Sequence, residues 1–178
     1  MNTAYVLVLI GSLLFCIIPV IYMRGVHHGV ITPNPASWFI WALVGSCNAV
    51  LYYLRAPQEE KFLAVLAILS AVAMTIVFFY TRSKHSFGKM GWAEWTSLVL
   101  TAFVLAVWMV TRKDDQAVRL AGVLIQAPMV IAFVPTCIAL VWGEGQEKPL
   151  AWALGGTTYF FQITALSLSP EQDWTRYV

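Results

Sequence analysis

Residues 35–54 read PASWFIWALVGSCNAVLYYL, a run of twenty residues without a charged side chain. An α-helix needs about 20 predominantly apolar residues to cross the hydrocarbon core of a bilayer. In lipid, every backbone N–H and C=O has to be satisfied inside the protein, which favours a helix over a single strand. The stretch therefore predicts a membrane-spanning helix, and it also contains the motif that organises the rest of the chain.

The whole chain has a composition like that of this segment. Of its 178 residues, 60% are hydrophobic, 14% are aromatic and only 11% are charged, and the mean hydropathy is +0.72. Soluble domains carry about 25% charged residues, and a chain of this length has too little interior to hide so much apolar surface from water. The net charge of +2 comes without a basic block. The composition argues against a disordered chain, a nucleic-acid-binding protein and a soluble globular enzyme.

Six apolar stretches are long enough to span a bilayer, and the short gaps between them hold nearly all the charged residues. They are residues 4–23, 36–54, 62–81, 92–111, 117–142 and 149–168. The sequence thus predicts an all-α integral membrane protein with six transmembrane helices. Because the first basic residue, Arg24, follows the first stretch, we expect no cleaved signal peptide and an N-terminus outside. The basic residues of the other loops divide almost evenly between the two sides.

The chain contains an internal repeat. The motif Pro-Ala-Ser-Trp at 35–38 is matched 114 residues later by Pro-Leu-Ala-Trp at 149–152. The same offset sets Asn48 over Gln162, an amide over an amide near the centre of each helix. Two matches at one offset predict that the second and sixth apolar stretches are equivalent helices.

The repeat extends to the first helix of each half. With a two-residue difference in loop length, Pro19 in the first stretch matches Pro135 in the fifth. Residues 1–81 then form a first three-helix unit, 82–114 a connector helix with its loops, and 115–178 a second unit that lacks its third helix. Since one connector helix separates the units, both have the same orientation, and the repeat axis runs along the membrane normal.

This layout, with a proline in the first helix of each unit and a tryptophan and an amide in the second, resembles the SWEET and SemiSWEET sugar carriers and the wider PQ-loop superfamily. The resemblance covers almost the whole chain. PQ-loop proteins carry Pro-Gln in the first helix of each unit, whereas this chain has Pro19-Val20 and Pro135-Thr136. The transporters also have a seventh helix, which would begin near Trp174 as a stub or a disordered segment. The resemblance implies transport of a sugar-type solute by alternating access.

The candidate substrate-binding residues follow an i, i+3, i+4 spacing on the second and sixth helices, so each set shares one helix face. They are Trp38, Trp41, Asn48, Trp152, Tyr159 and Gln162. Indole rings can stack on a sugar-like ring while amides hydrogen-bond its hydroxyls. The same residues also suit helix packing, in which Asn and Gln hydrogen-bond across helices. Pro19 and Pro135 are candidate hinges, because a proline inside a helix removes a backbone hydrogen bond and kinks it.

We find no catalytic, cofactor-binding or metal-binding motif, and the three cysteines lie in apolar stretches without metal-ligand spacing. No Asp or Glu lies in the middle of a predicted span, so uniport is the simpler transport mechanism. Two functions stay open: a small-solute carrier, or a non-catalytic accessory or scaffold subunit of a larger membrane complex. The expected partners are the lipid bilayer, a small polar solute, and a larger membrane complex or a second copy, but no nucleic acid.

Overall fold

A computed structural model of the protein describes residues 3–55, 58–111, 118–142 and 147–168. Within these ranges the chain is helical and contains no strand. The helices are α1 (Thr3–His27), α2 (Pro35–Arg55), a short 3-10 helix (Gln58–Leu63), α3 (Ala64–Ser83), α4 (Trp92–Thr111), α5 (Val118–Ile131), α6 (Phe133–Val141) and α7 (Pro149–Ser167). The helical character expected for each apolar stretch is confirmed. The segment near Trp174 lies outside the described residues.

Three of the helices in these ranges are long and apolar enough to cross a membrane: α1, α3, and α4 as far as Val110. Shorter apolar helical runs occupy Pro35–Leu51 in α2 and Gln126–Val141 in α5 and α6. Large apolar side chains such as Leu13 on α1 and Phe103 on α4 are exposed. Exposed apolar surface of this extent is unusual in water and ordinary in lipid. The architecture fits an integral membrane protein.

The fifth predicted stretch, 117–142, is not one continuous helix, because α5 and α6 are separated at Ala132. Proline has no N–H, and its ring crowds the carbonyl four residues earlier. For Pro135 that carbonyl belongs to Ile131, the last residue of α5. By contrast, α1 continues through Pro19 without an interruption. The two candidate hinges therefore differ in structure: only the one at Pro135 coincides with a break.

The first and last helices of this set are neighbours. α1 packs along α7 on one side and α3 on another, and α3 also packs along α2. α2 contacts α4, α5 and α6, and α4 packs along α5. The main apolar core lies where these helices meet, and it includes Tyr22, Trp41, Val44, Val77 and Ala132. The helices around this core enclose the site described below.

Two loops at the same end of the molecule close their helices in the same way. After α1, Gly29 has φ 66°, and after α3, His85 has φ 52°; both turns return backbone hydrogen bonds to the last helical turn. A residue in the left-handed conformation is typical of a helix C-terminus, and glycine adopts this conformation without strain. The Gly88 N–H then donates to the Pro33 carbonyl at 3.0 Å. The two loops are thereby joined.

A buried polar cluster ties the start of α2 to the start of α4. The Asn34 side-chain amide donates to Glu94 Oε1 at 2.6 Å, and the Gly91 backbone N–H donates to Glu94 Oε2 at 2.7 Å. Asn34 Oδ1 accepts the Ser37 backbone N–H at 3.2 Å, the usual N-cap arrangement. The Thr136 hydroxyl donates to Ser37 Oγ at 2.9 Å, which extends the cluster to α6. These bonds fix three helices at one end of the molecule.

Candidate functional site

A cavity of about 510 Å³, the central cavity, lies between six of the helices. This volume falls within the range of small-molecule binding sites, which are mostly apolar with a few placed polar groups. It is lined by Phe15, Ile18, Pro19 and Tyr22 from α1, Trp38 and Trp41 from α2, Ala73, Met74 and Val77 from α3, Gln126 and Met129 from α5, Phe133 from α6, and Ala151, Trp152, Gly155, Gly156 and Tyr159 from α7.

Four of the six candidate substrate-binding residues line this cavity: Trp38, Trp41, Trp152 and Tyr159. Helical spacing places Trp38 and Trp41 on one face of α2, and Trp152 and Tyr159 on one face of α7. Both faces line the central cavity. Of the two candidate hinges, Pro19 lines the cavity. Pro135 is fully buried in α6 and is not among the lining residues.

Five aromatic rings on four helices form one continuous group, the aromatic cluster. Ring centroids lie 4.5 Å apart for Tyr22 and Trp38, 5.6 Å for Trp38 and Trp41, and 5.5 Å for Trp41 and Trp152. Phe133 lies 4.8 Å from Trp41 and 5.6 Å from Trp152. These spacings and tilted geometries are those that aromatic pairs prefer. Every ring of the cluster also lines the central cavity.

A carboxylate that the sequence placed in a loop is hydrogen-bonded to this cluster. The Tyr22 hydroxyl donates to Glu147, whose Oε1 and Oε2 lie 2.6 and 2.7 Å from the phenolic oxygen. The Trp38 indole N–H donates to the Tyr22 oxygen at 3.1 Å, and the Trp152 indole N–H donates to Glu147 Oε2 at 3.3 Å. Tryptophans from both copies of the repeated motif thus bind the same Tyr22–Glu147 pair.

Burial of Glu147 changes its titration. Removing the carboxylate from water raises the pKa of Glu147 from its ordinary 4.5 to about 7, and the hydrogen bonds from Tyr22 and Trp152 oppose this rise. The group therefore changes charge near neutral pH. Sequence reasoning missed it because Glu147 lies in a polar gap outside every span. Its position two residues before Pro149, at the head of the repeated motif, was the available signal.

The amide at the centre of α2 pairs with a residue outside the expected set. The Asn48 side-chain amide donates to Gln126 Oε1 on α5 at 3.2 Å. Gln126 lines the central cavity, whereas Asn48 is not among the lining residues. The side chain of Gln162 lies outside the described residues. The structure thus gives Asn48 a cross-helix packing contact beside the cavity, and the expectation that Asn48 and Gln162 both line one cavity stays a prediction for Gln162.

A second bond reaches α5 from the same face of α2. The Trp41 indole N–H donates to the Met129 carbonyl at 3.1 Å. Carbonyls in the last turn of a helix lack partners within that helix, and in lipid an unpaired one is costly. Trp41 therefore stabilises the end of α5 just before the break at Ala132.

We expect Asn48→Ala to lower the free energy of unfolding by about 1 kcal/mol, because the side-chain Oε1 of Gln126 loses its hydrogen-bond donor inside the bundle. Gln126→Ala should have a similar effect, and the double variant should lose less than the sum of the two. Unfolding of the purified protein in mixed detergent micelles measures all three. A coupling energy of about 0.6 kcal/mol is typical of such pairs in membranes, and strictly additive losses would contradict the pairing.

Among the described residues, no three His, Cys, Asp or Glu side chains are grouped so that they could hold a metal ion. Cys16, Cys47 and Cys137 are free thiols. Compared with known protein families, with curated proteins and with solved structures, the chain matches none of them.

Proposed function

We propose that this protein is a multi-pass membrane carrier for a small solute, working by alternating access around the central cavity. The observation that carries the proposal is the cavity itself: it has the size of a small-molecule site and is lined by residues of α1, α2 and α3 together with residues of α5, α6 and α7. Carriers built from repeats hold their substrate at the interface between the units. The resemblance noted above implies a sugar-type solute.

The packing of the helices supports the proposed repeat. α1, the first helix of one unit, packs along α7, the second helix of the other; α2 in turn contacts α5, the first helix of the other unit. A two-fold relation along the membrane normal produces such reciprocal contacts. In this proposal six membrane spans are formed by α1, α2, α3, α4, the α5–α6 pair and α7, with α4 as the connector.

The orientation follows from the same proposal. With the N-terminus outside, the ends of α1 and α3 and the starts of α2, α4 and α7 lie at the inner face. Glu147, two residues before α7, then lies toward the inner face, behind the cavity-lining residues Tyr22 and Trp152. The break before Pro135 is a suitable place for α5 and α6 to change their relative angle, because a proline-interrupted helix has fewer backbone bonds to distort.

We expect a cysteine at position 155 to be reachable by water-soluble reagents from both faces of the membrane. A Cβ built on Gly155 has only the tip of Ile18 within 4 Å, at 4.0 Å, so a side chain there enters the cavity without displacing the backbone. The experiment uses Gly155→Cys in a variant without its three native cysteines, reconstituted in vesicles. The charged, membrane-impermeant reagent 2-(trimethylammonium)ethyl methanethiosulfonate is added to one side at a time.

The matched control is Ala153→Cys, on the same helix but exposed outside the cavity. This position should resist the reagent from both sides, because thiolate formation is suppressed in lipid. Labelling of position 155 from one face only, or from neither, contradicts alternating access. Such a result, together with co-migration of the detergent-solubilised protein with larger partners, would favour the accessory-subunit alternative.

A further inference from the structure

A carboxylate, Glu147, lies behind the wall of the central cavity, and the described residues of that wall include no compensating base. Glu147 is held by Tyr22 and Trp152, both of which line the cavity. Among the described residues that form the lining, none is a Lys, Arg or His. The N-terminus of α7 contributes at most a partial positive charge of about half a unit, which is less than the full charge of the carboxylate. An anion in this cavity is therefore disfavoured.

The polar groups of the aromatic cluster are already used within the protein. The indole N–H groups of Trp38, Trp41 and Trp152 donate to Tyr22, to the Met129 carbonyl and to Glu147. A neutral sugar needs several free donors and acceptors, because every hydroxyl that leaves water without a partner weakens binding. What the cluster offers to a bound molecule is chiefly the faces of its rings. Ring faces carry the negative side of the aromatic quadrupole and attract cations.

Most of the remaining wall is apolar; the polar exceptions are Tyr159 and Gln126, whose Oε1 already accepts from Asn48. Phe15, Ile18, Ala73, Met74 and Val77 line the cavity beyond the cluster. An apolar surface of this kind receives an apolar portion of a ligand and leaves no role for a second charged group. The cavity thus presents aromatic rings backed by a carboxylate, together with a largely hydrocarbon wall from α1 and α3.

We propose that the occupant of the central cavity is an amphipathic organic cation, with its ammonium group against the aromatic cluster near Glu147 and its apolar portion against α1 and α3. This inference rests on the proposed function in so far as the cavity is the substrate site, and it names the class of substrate. Glu147 is the specificity-determining residue, because its negative charge attracts the ligand's positive charge across the side chains of Tyr22 and Trp152.

Proton binding should compete with cation binding. Burial raises the pKa of Glu147 to about 7, so the carboxylate is mostly ionised at pH 8 and mostly protonated at pH 5.5. The groups of the described residues that face it are the Tyr22 phenol from α1 and the Trp152 indole from α7, with Trp38 of α2 behind Tyr22. Lys148 is the neighbour of Glu147 in the sequence, and phenols ordinarily ionise near pH 10. Over this interval, Glu147 is the group of this set that titrates.

The first test measures binding of radiolabelled benzyltrimethylammonium to the purified protein by equilibrium dialysis. This probe keeps its charge at every pH, so any pH effect belongs to the protein. We expect saturable binding at pH 8 that weakens about tenfold or more at pH 5.5. Glu147→Gln should weaken binding at pH 8 by a similar factor and abolish the pH dependence. The anion benzenesulfonate and the neutral sugar glucose should not displace the bound probe.

The matched control is Glu94→Gln, which alters a buried carboxylate whose hydrogen-bond partners, Asn34 and Gly91, do not line the cavity. This change should leave the affinity for benzyltrimethylammonium and its pH dependence as in the wild type. Displacement of the probe by benzenesulfonate, or equal affinity of wild type and Glu147→Gln, overturns the inference. A folded wild-type protein that does not bind the probe at pH 8 overturns it as well.

A flux measurement in the same vesicles separates this inference from the carrier proposal. Uptake of benzyltrimethylammonium that depends on Glu147 supports both. If glucose is taken up but the cation is neither bound nor taken up, the carrier proposal is supported and the organic-cation proposal is overturned. A third outcome is that the cation binds in a Glu147-dependent way without being transported and without labelling of position 155 from both sides. That result supports the organic-cation site and overturns the carrier proposal.

Discussion

The wild-type protein is expected to be less stable at pH 8 than at pH 5, and the Glu147→Gln variant is expected to lose that difference. The pKa of Glu147 is raised from 4.5 to about 7 in the folded protein. Between these values the folded state holds a proton that the unfolded state has released. Its contribution to stability is therefore fully present below about pH 4.5 and is lost as the pH rises through about 7.

The size of this effect follows from the shift, which corresponds to about 3 kcal/mol between the two extremes. Glutamine resembles the protonated carboxyl and does not titrate, so Glu147→Gln should match the wild type at pH 5 and exceed it by about 3 kcal/mol at pH 8. Unfolding in mixed micelles at a series of pH values measures both proteins. Parallel stability curves would contradict the burial of this carboxylate.

Glu94→Ala is expected to lower the free energy of unfolding by about 3 kcal/mol, because it leaves one buried and one partly buried donor without their acceptor. These are the Asn34 side-chain amide at 2.6 Å and the Gly91 backbone N–H at 2.7 Å. Both Asn34 and Glu94 are nearly inaccessible, at 6% and 7% exposure. The carboxylate also lies in the first turn of α4, where the helix dipole favours negative charge.

Glu94→Gln is the matched control, since it keeps the chain length and one carbonyl oxygen. It should lose about 1 kcal/mol, the usual difference for a hydrogen bond that changes from charged to neutral. Asn34→Ala combined with Glu94→Ala should lose clearly less than the sum of the single changes. Equal losses for the alanine and glutamine variants would show that the pair does not hold α2 against α4.

The helical positions were predictable because apolar length is a strong signal. The predicted stretch 92–111 coincides with α4, and 36–54 differs from α2 by one residue at each end. In lipid, the backbone has few alternatives to a helix, so hydropathy alone fixes the element. The break at Ala132 was less visible because a proline predicts a kink without deciding whether the helix is interrupted, as the continuous helix through Pro19 demonstrates.

The site was predictable only where its residues belong to a helix face. Trp38 and Trp41 on α2, and Trp152 and Tyr159 on α7, line the cavity because i, i+3 and i+4 spacing turns them to one side. Glu147 was not predictable in this way. It precedes α7, has no helical phase, and reaches Tyr22 across 125 residues of sequence, a separation at which local patterns carry no information.

The contact between α1 and α7 also dictates an order of assembly. During synthesis, α1 is made first and waits for more than a hundred residues before α7 can pack along it. Until then the Tyr22 phenol lacks its carboxylate partner. Contacts between distant parts of a chain form late because the intervening segment has to be ordered first. The cavity therefore cannot close before α7 has been made, and chains arrested before α7 are expected to have an accessible α1.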